Sequence, residues 1–161
     1  MTDTLALRRC FGQFMTGVTI VTTCRDDGAP VGFTANSFAS VSLEPPLLLV
    51  CIDLRSDNLE QFVSGGGFAI NILAADQQAL SNRFASQVEN RFAGLNWHTG
   101  AFGQPILGDV AAWLECHHFA HHHAGDHIIL IGEVADFGRS ERDGLGYVNG
   151  RYFTLPGEAG K

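Results

Sequence analysis

Lysine is almost missing from this chain of 161 residues: of its ten basic residues nine are arginine, and the only lysine, Lys161, comes last. That absence removes chemistry that needs a lysine in the body of the protein, such as a Walker-type phosphate loop or a pyridoxal Schiff base. Charge of either sign is scarce, at 17% of residues against a usual ~25%, and it sums to −7. Such a balance repels a polyphosphate backbone, and no basic stripe offsets it, so nucleic acid is not an expected partner. Cysteine occurs as four single residues, Cys10, Cys24, Cys51 and Cys116, without a C-x-x-C pair. This fits a reducing, cytoplasmic setting better than a disulfide framework. No amino-terminal stretch shows the basic region, apolar core and cleavage site of a secretion signal. The longest apolar runs, such as residues 47–52, fall far below the ~18 residues of a membrane span, so the expectation is a soluble protein without a membrane partner.

Apolar side chains are plentiful: 45% of residues are hydrophobic and twelve are Phe. A folded chain of ~150 residues buries roughly 68–70% of its unfolded surface, and this composition supplies the area for one domain over residues 1–161. Glycine, 19 of 161 or about 12% against a usual ~7%, marks a fold rich in turns. A surface so short of charge is expected to face another subunit in part.

Thr2, Asp3 and Thr4 offer helix caps, and Leu7, Phe11 and Phe14 follow on one helical face until Gly17 ends the pattern. Residues 18–23 are dense in β-branched side chains, Asp26-Asp27-Gly28 signals a turn, and residues 31–35 resume an extended pattern, which reads as a hairpin. After the Pro45-Pro46 break, the continuous apolar run 47–52 predicts a strand buried on both faces. Asp57 and Glu60 predict a capped short helix through Val63, the three glycines 65–67 a break, residues 68–72 a strand, and residues 76–84 a second helix. Residues 85–108 show no period and read as a long, functional loop. Residues 111–119 and 127–137 predict strands flanking a polar turn, and residues 147–155 a last strand. Short strands outnumber helices, which predicts an antiparallel barrel with a few peripheral helices.

Three segments could carry chemistry. In residues 32–42 small polar side chains, Asn36, Ser37 and Ser40 among them, alternate with apolar ones. Such a stretch lets backbone amides approach a flat polar heterocycle, although Ser and Asn satisfying their own turn explains the same residues. Arg55-Ser56-Asp57-Asn58 offers hydroxyl, amide and free N–H groups to a phosphate at a helix start, and ordinary helix capping is the equal alternative. Residues 116–127 hold six of the seven histidines. Alternating imidazoles beside a thiol and a carboxylate are metal-ligand chemistry, whereas His121, His122 and His123 in a polar turn are simply solvated; no metal is the expected outcome.

With these segments in view, the chain resembles the short-chain flavin reductase family, the reductase components of two-component flavin-dependent monooxygenases. Residues 14–23, Phe-Met-Thr-Gly-Val-Thr-Ile-Val-Thr-Thr, are similar to its opening F-x-T-G-V-x-[VI]-[VI]-T-T. Thr34-Ala35-Asn36-Ser37-Phe38, Ser40-Val41-Ser42 and Pro45-Pro46-Leu47 match T-A-x-S-F-x-S-V-S-x-x-P-P-L. Phe68-Ala69-Ile70-Asn71-Ile72-Leu73, Ser81 with Phe84-Ala85, and Gly125-Asp126-His127 followed by Gly132-Glu133-Val134 complete the resemblance, which covers nearly the whole chain. Two segments depart from it: His121-His122-His123 before Gly125, and Gly144-Leu145-Gly146-Tyr147 where the family carries P-L-x-Y.

The resemblance implies a mainly β, split antiparallel barrel, the FMN-binding split barrel, acting as a homodimer with FMN or FAD in each of two sites. It implies NADH or NADPH as hydride donor and a flavin-dependent monooxygenase as recipient of the reduced flavin. Thr34, Ala35, Asn36 and Ser37 are implied at the isoalloxazine edge, with Ser40, Val41 and the backbone of Cys51, Ile52 and Asp53 beside it. Ser56 and Asn58 are implied at the phosphate, Phe84 against the flavin, and Asp126 and His127 where the nicotinamide docks, His127 as the catalytic candidate. The alternative is a split-barrel flavin- or haem/metal-binding protein that uses the histidine cluster and consumes no nicotinamide.

Overall fold

The computed structural model describes residues 3–155. Asp3 caps α1 (Thr4–Phe11), its carboxylate accepting from the amides of Leu5 and Ala6 at 3.0 and 3.1 Å. Thr2, the other cap candidate before it, lies outside the described residues. The helix stops at Phe11, so Phe14 falls beyond it instead of extending the stripe, and no residue of α1 is buried. Its apolar face, Leu5, Leu7 and Phe11, stands open.

The remaining elements are mostly strands. They run β1 (Thr16–Gly17), β2 (Thr19–Cys24), β3 (Pro30–Ala35), β4 (Ala39–Leu43), β5 (Pro46–Asp53), α2 (Leu59–Ser64), β6 (Gly67–Ile72) and α3 (Gln78–Ala85). Then come β7 (Trp97–Thr99), β8 (Pro105–Leu107), β9 (Ala112–Ala124), β10 (His127–Arg139), β11 (Gly146–Val148) and β12 (Arg151–Phe153). Seven strands form one antiparallel sheet in the order β3-β2-β6-β9-β10-β5-β4, which wraps around a single interior. Val21, Val50, Phe68, Cys116 and Leu130 converge there from five strands, and α2 plugs the interior with Phe62, edge-on to Phe33 at 5.2 Å. A second core lies outside the sheet under α3 and the β7–β8 hairpin, where Ile20, Leu73, Phe84, Phe92 and Leu107 are buried. The result is the expected split antiparallel barrel with peripheral helices. No helix among the described residues is long and apolar enough to cross a membrane.

Five local expectations are corrected. Residues 47–52 are not buried on both faces: Leu48, Val50 and Ile52 point into the barrel, while Leu47, Leu49 and Cys51 are half-buried on the other side, because β5 lies near the sheet edge with only β4 beyond it. Asp57 and Glu60 form no capping box; α2 starts after Asn58, whose side chain makes no cap hydrogen bond. Residues 85–108 contain the β7–β8 hairpin, pinned by buried Ile106 and Leu107. His121, His122 and His123 belong to β9, not to a turn, since their backbones pair with Leu130, Ile129 and Ile128 of β10. The turn shrinks to Gly125-Asp126, with Gly125 at φ 65°, the left-handed value that a glycine-first hairpin turn demands. The last strand likewise divides into β11 and β12 around Asn149-Gly150, both at positive φ as in a type I′ turn.

Candidate functional site

The barrel has one seam without a ladder, between β3 and β5, and the first predicted segment sits on it. After β3 the chain leaves the sheet at Asn36 and returns as β4. Ser37 bridges the seam: its Oγ accepts the Cys51 amide N–H at 2.9 Å and lies 3.3 Å from the Cys51 carbonyl oxygen. Thr34 and Ala35 present backbone only, since Thr34 Oγ1 donates to the Ser81 carbonyl at 2.6 Å and Ala35 is buried in the barrel. Asn36 is exposed, and so are Ser40 and Val41 on β4, where the ladder with β5 slips between Ser40 and Ser42 and pushes Val41 out.

The end of β5 pairs with the start of β10. Asp53 is the cross-strand partner of His127, and Ile52, buried, that of Ile128. His127 Nδ1 is 2.7 Å from Asp126 Oδ1, and the Asp53 carboxylate is held by Arg55 Nε and Nη2 at 3.0 and 2.7 Å. The Arg55 hydrogen bonds hold Asp53 well below the usual carboxylate range, and the His127 ring lowers Asp126. An imidazole thus stands half-exposed beside two carboxylates at the mouth of a hairpin.

Ser56 and Asn58 follow in the turn before α2. The Ser56 amide donates to the Asp53 carbonyl at 2.9 Å, and Asn58 Oδ1 accepts from Arg25 Nη2 at 3.1 Å. Asn58 and Arg25 open into a groove of about 1060 Å³ that also exposes Gly32, Gln87 and Arg91. Asn36 lines a second groove, about 560 Å³, with Arg8, Arg9, Thr16 and Tyr147. Of the predicted residues, Ser37 meets Cys51, Asp53 pairs with His127, and His127 meets Asp126, while Asn36 and Asn58 open into separate grooves. Phe84 is elsewhere: its ring is fully buried in the second core, edge-on to Phe92 at 5.1 Å. Arg25 and Arg91 escaped the sequence reading because each reaches the groove from a distant segment.

The histidine cluster makes one close pair, His118 Nε2 to His121 Nδ1 at 3.1 Å. Cys116 faces the barrel interior, and burial pushes its thiol up to about 12. Among the described residues no group of three or more His, Cys, Asp or Glu side chains could hold a metal ion.

A flat heterocycle bearing a phosphate fits this donor set. Small side chains at 36–41 suit the ring, and Arg25 and Asn58 in the larger groove suit the anion. An antiparallel barrel with a nucleotide-sized groove at its seam is the class the geometry defines. Residues 11–156 match the family described as the flavin reductase like domain, and the chain belongs to that family.

The chain is 55% identical to a probable flavin reductase of Rhizobium meliloti, over 99% of this chain and 51% of that protein. It is 53% identical to the reductase component of the flavin-dependent trigonelline monooxygenase of Acinetobacter baylyi, over 92% of this chain and 48% of that one. It therefore spans about half the length of these two relatives. Among solved structures, the NADH:FAD oxidoreductase of Streptomyces globisporus in complex with NAD and FAD fragments superimposes with a TM-score of 0.92 at 36% identity, covering 98% of this chain and 96% of that one.

Proposed function

We propose that this chain is an NAD(P)H:flavin oxidoreductase that reduces FMN or FAD and hands the reduced flavin to a partner monooxygenase. The observation that carries this reading is strand β5, on which Cys51 meets Ser37 and Asp53 stands opposite His127, with Asn58 after it opening into the larger groove. A bound flavin would supply the redox chemistry, as acceptor of the hydride from the nicotinamide. The protein's part is to hold two rings at close range, which requires no strong acid or base.

Each residue then has a limited task. Backbone groups of Thr34, Ala35, Cys51 and Ile52, with the side chains of Asn36, Ser37, Ser40 and Val41, bind and orient the isoalloxazine. Ser56 and Asn58, supported by Arg25, bind the phosphate. His127, steadied by Asp126, positions the nicotinamide. Phe84 acts at second hand, supporting β3 from behind Gly32.

Homodimer formation supports the same site, because the segment after α1 and the edge strand β4 leave Phe14, Met15 and Leu43 exposed, Leu43 at 94%. A cytoplasmic location suits both the free cysteines and the supply of reduced nicotinamide. The test is steady-state oxidation of NADH and of NADPH, each with FMN, FAD and riboflavin. Turnover that depends on added flavin is the expected result, and its absence with every pairing overturns the reading.

A further inference from the structure

Strand β9 carries an irregularity that hydride transfer leaves unused. Its ladder with β10 pairs His118 with Gly132, Ala120 with Ile131 and His121 with Leu130, so Phe119 is an extra residue bulged out of register. In a regular strand, residues three apart point to opposite faces, and one bulged residue reverses that. His118 and His121 accordingly share a face. Cross-strand partners share it too, and Leu130 is buried in the barrel, so the pair sits on the inner face, each residue half-buried. The two rings meet at 3.1 Å, Nε2 of His118 to Nδ1 of His121, with their planes 57° apart. Neither ring is paired with a carboxylate among the described residues. Burial, and then His121, push the His118 ring below the usual histidine range, which keeps it neutral near pH 7.

We propose that His118 and His121 chelate one divalent ion of the zinc and copper class across the β9 bulge, a site that goes beyond the reductase reading and does not depend on it. An ion about 2.0–2.1 Å from each imidazole nitrogen, at an angle between square and tetrahedral, sets the two nitrogens about 2.8–3.4 Å apart. The 3.1 Å separation lies inside that range, so the rings need only turn to aim both lone pairs at a shared ion. Neutral imidazole is the ligand form that zinc, copper and nickel prefer, whereas magnesium and calcium take oxygen. Two histidines fill half of a tetrahedral shell, and water completes it. Exposed His122 and His123 follow at once along β9, on the side from which an ion would enter. A bound ion ties the two sides of the bulge together, so its binding stabilises the folded strand. The competing reading is a plain hydrogen bond between two neutral rings.

The experiment uses the tag-free protein without flavin or nicotinamide, so its outcome is separate from that of the reductase assay. Calorimetric titration of the wild type with Zn²⁺ alone is expected to show one site per chain, and titration with Mg²⁺ none. His118→Gln and His121→Gln, each checked for fold by circular dichroism, are expected to weaken Zn²⁺ binding about tenfold or more, while His122→Gln combined with His123→Gln stays within about twofold of wild type. Zn²⁺ should raise Tm in the wild type and not in the two single variants. If either single variant does not fold, modification of the wild-type histidines by diethylpyrocarbonate decides: Zn²⁺ shielding of His118 and His121 upholds the proposal, and unshielded rings overturn it. No Zn²⁺ binding by the wild type overturns it and leaves the pair as a hydrogen bond. Binding unaffected by both single variants overturns it too, marking an adventitious ion only. Loss of binding in the His122, His123 double variant, alone or alongside the others, moves the ion to the exposed end of the strand and overturns the assignment.

Discussion

Ser37 Oγ lies 2.9 Å from the Cys51 amide nitrogen and 3.3 Å from the Cys51 carbonyl oxygen, so a single hydroxyl spans the gap where β3 and β5 share no ladder. A half-buried backbone amide in a strand needs an acceptor, and here only this side chain supplies one. Ser37→Ala is expected to lower stability by about 1–2 kcal/mol, read from the urea midpoint, and to weaken flavin binding alongside. A variant with wild-type midpoint and weak flavin binding would make Ser37 purely a ligand contact.

His127 adjoins the same seam through Asp53. His127→Ala is expected to lower kcat/KM for NADH about five- to 150-fold, equivalent to roughly 1–3 kcal/mol, with flavin affinity nearly unchanged. Combined loss of flavin and fold would mark a structural role instead.

Glu115 is fully buried, and its Oε1 accepts the amides of Phe102 and Gln104 at 3.0 and 2.8 Å, which ties the β7–β8 loop to β9. Its Oε2 is buried without a partner among the described residues. Glu115→Ala strands both amides and is expected to cost about 2–4 kcal/mol, whereas Glu115→Gln keeps the acceptor and costs less. Gly100→Ala should also destabilise, since a Cβ there runs into the carboxylate. Chemical denaturation of the three variants checks the order.

Arg55 holds the Asp53 carboxyl well below its ordinary range. The unfolded chain therefore takes up this proton at higher pH than the folded one. The pair's contribution is complete above about pH 5 and is lost as pH falls below roughly 4. The stability gap between wild type and Asp53→Asn should be widest near neutral pH and close toward about pH 2. A gap constant across the acid range would assign the effect to something other than this carboxyl.

His121, His122 and His123 pair with β10 through backbone groups, and His122 and His123 have exposed side chains. Replacing all three with Ser should leave flavin-dependent NADH oxidation within about twofold. Activity lost and then restored by one particular metal ion would favour the metal-binding alternative.

Much of the molecule was legible in its residues. The hairpin of β2 and β3 followed from β-branched runs around Asp26-Asp27-Gly28, and the family resemblance implied the split barrel. Local signals sufficed there because turn chemistry and strand propensity act over a few neighbours. Where they failed, a distant partner decided. The His121–His123 stretch looks like a solvated turn until β10 supplies the backbone partners that hold it in a strand, and the run 47–52 looks doubly buried until its place near the sheet edge uncovers one face. Phe84 carries a motif signature, yet packing against Phe92 takes its ring into a core.

The sequence by itself determined the barrel class and the β2–β3 and β9–β10 hairpins, since those depend on periodicity and on motifs read along the chain. Only the tertiary structure decided that Ser37 closes the barrel on Cys51, that Arg25 meets Asn58, and that Arg8 and Arg9 share a groove with Asn36 and Tyr147. These residues lie far apart along the chain, and their proximity follows from how a seven-stranded sheet curls, a property of the whole wrapped core that no local pattern records.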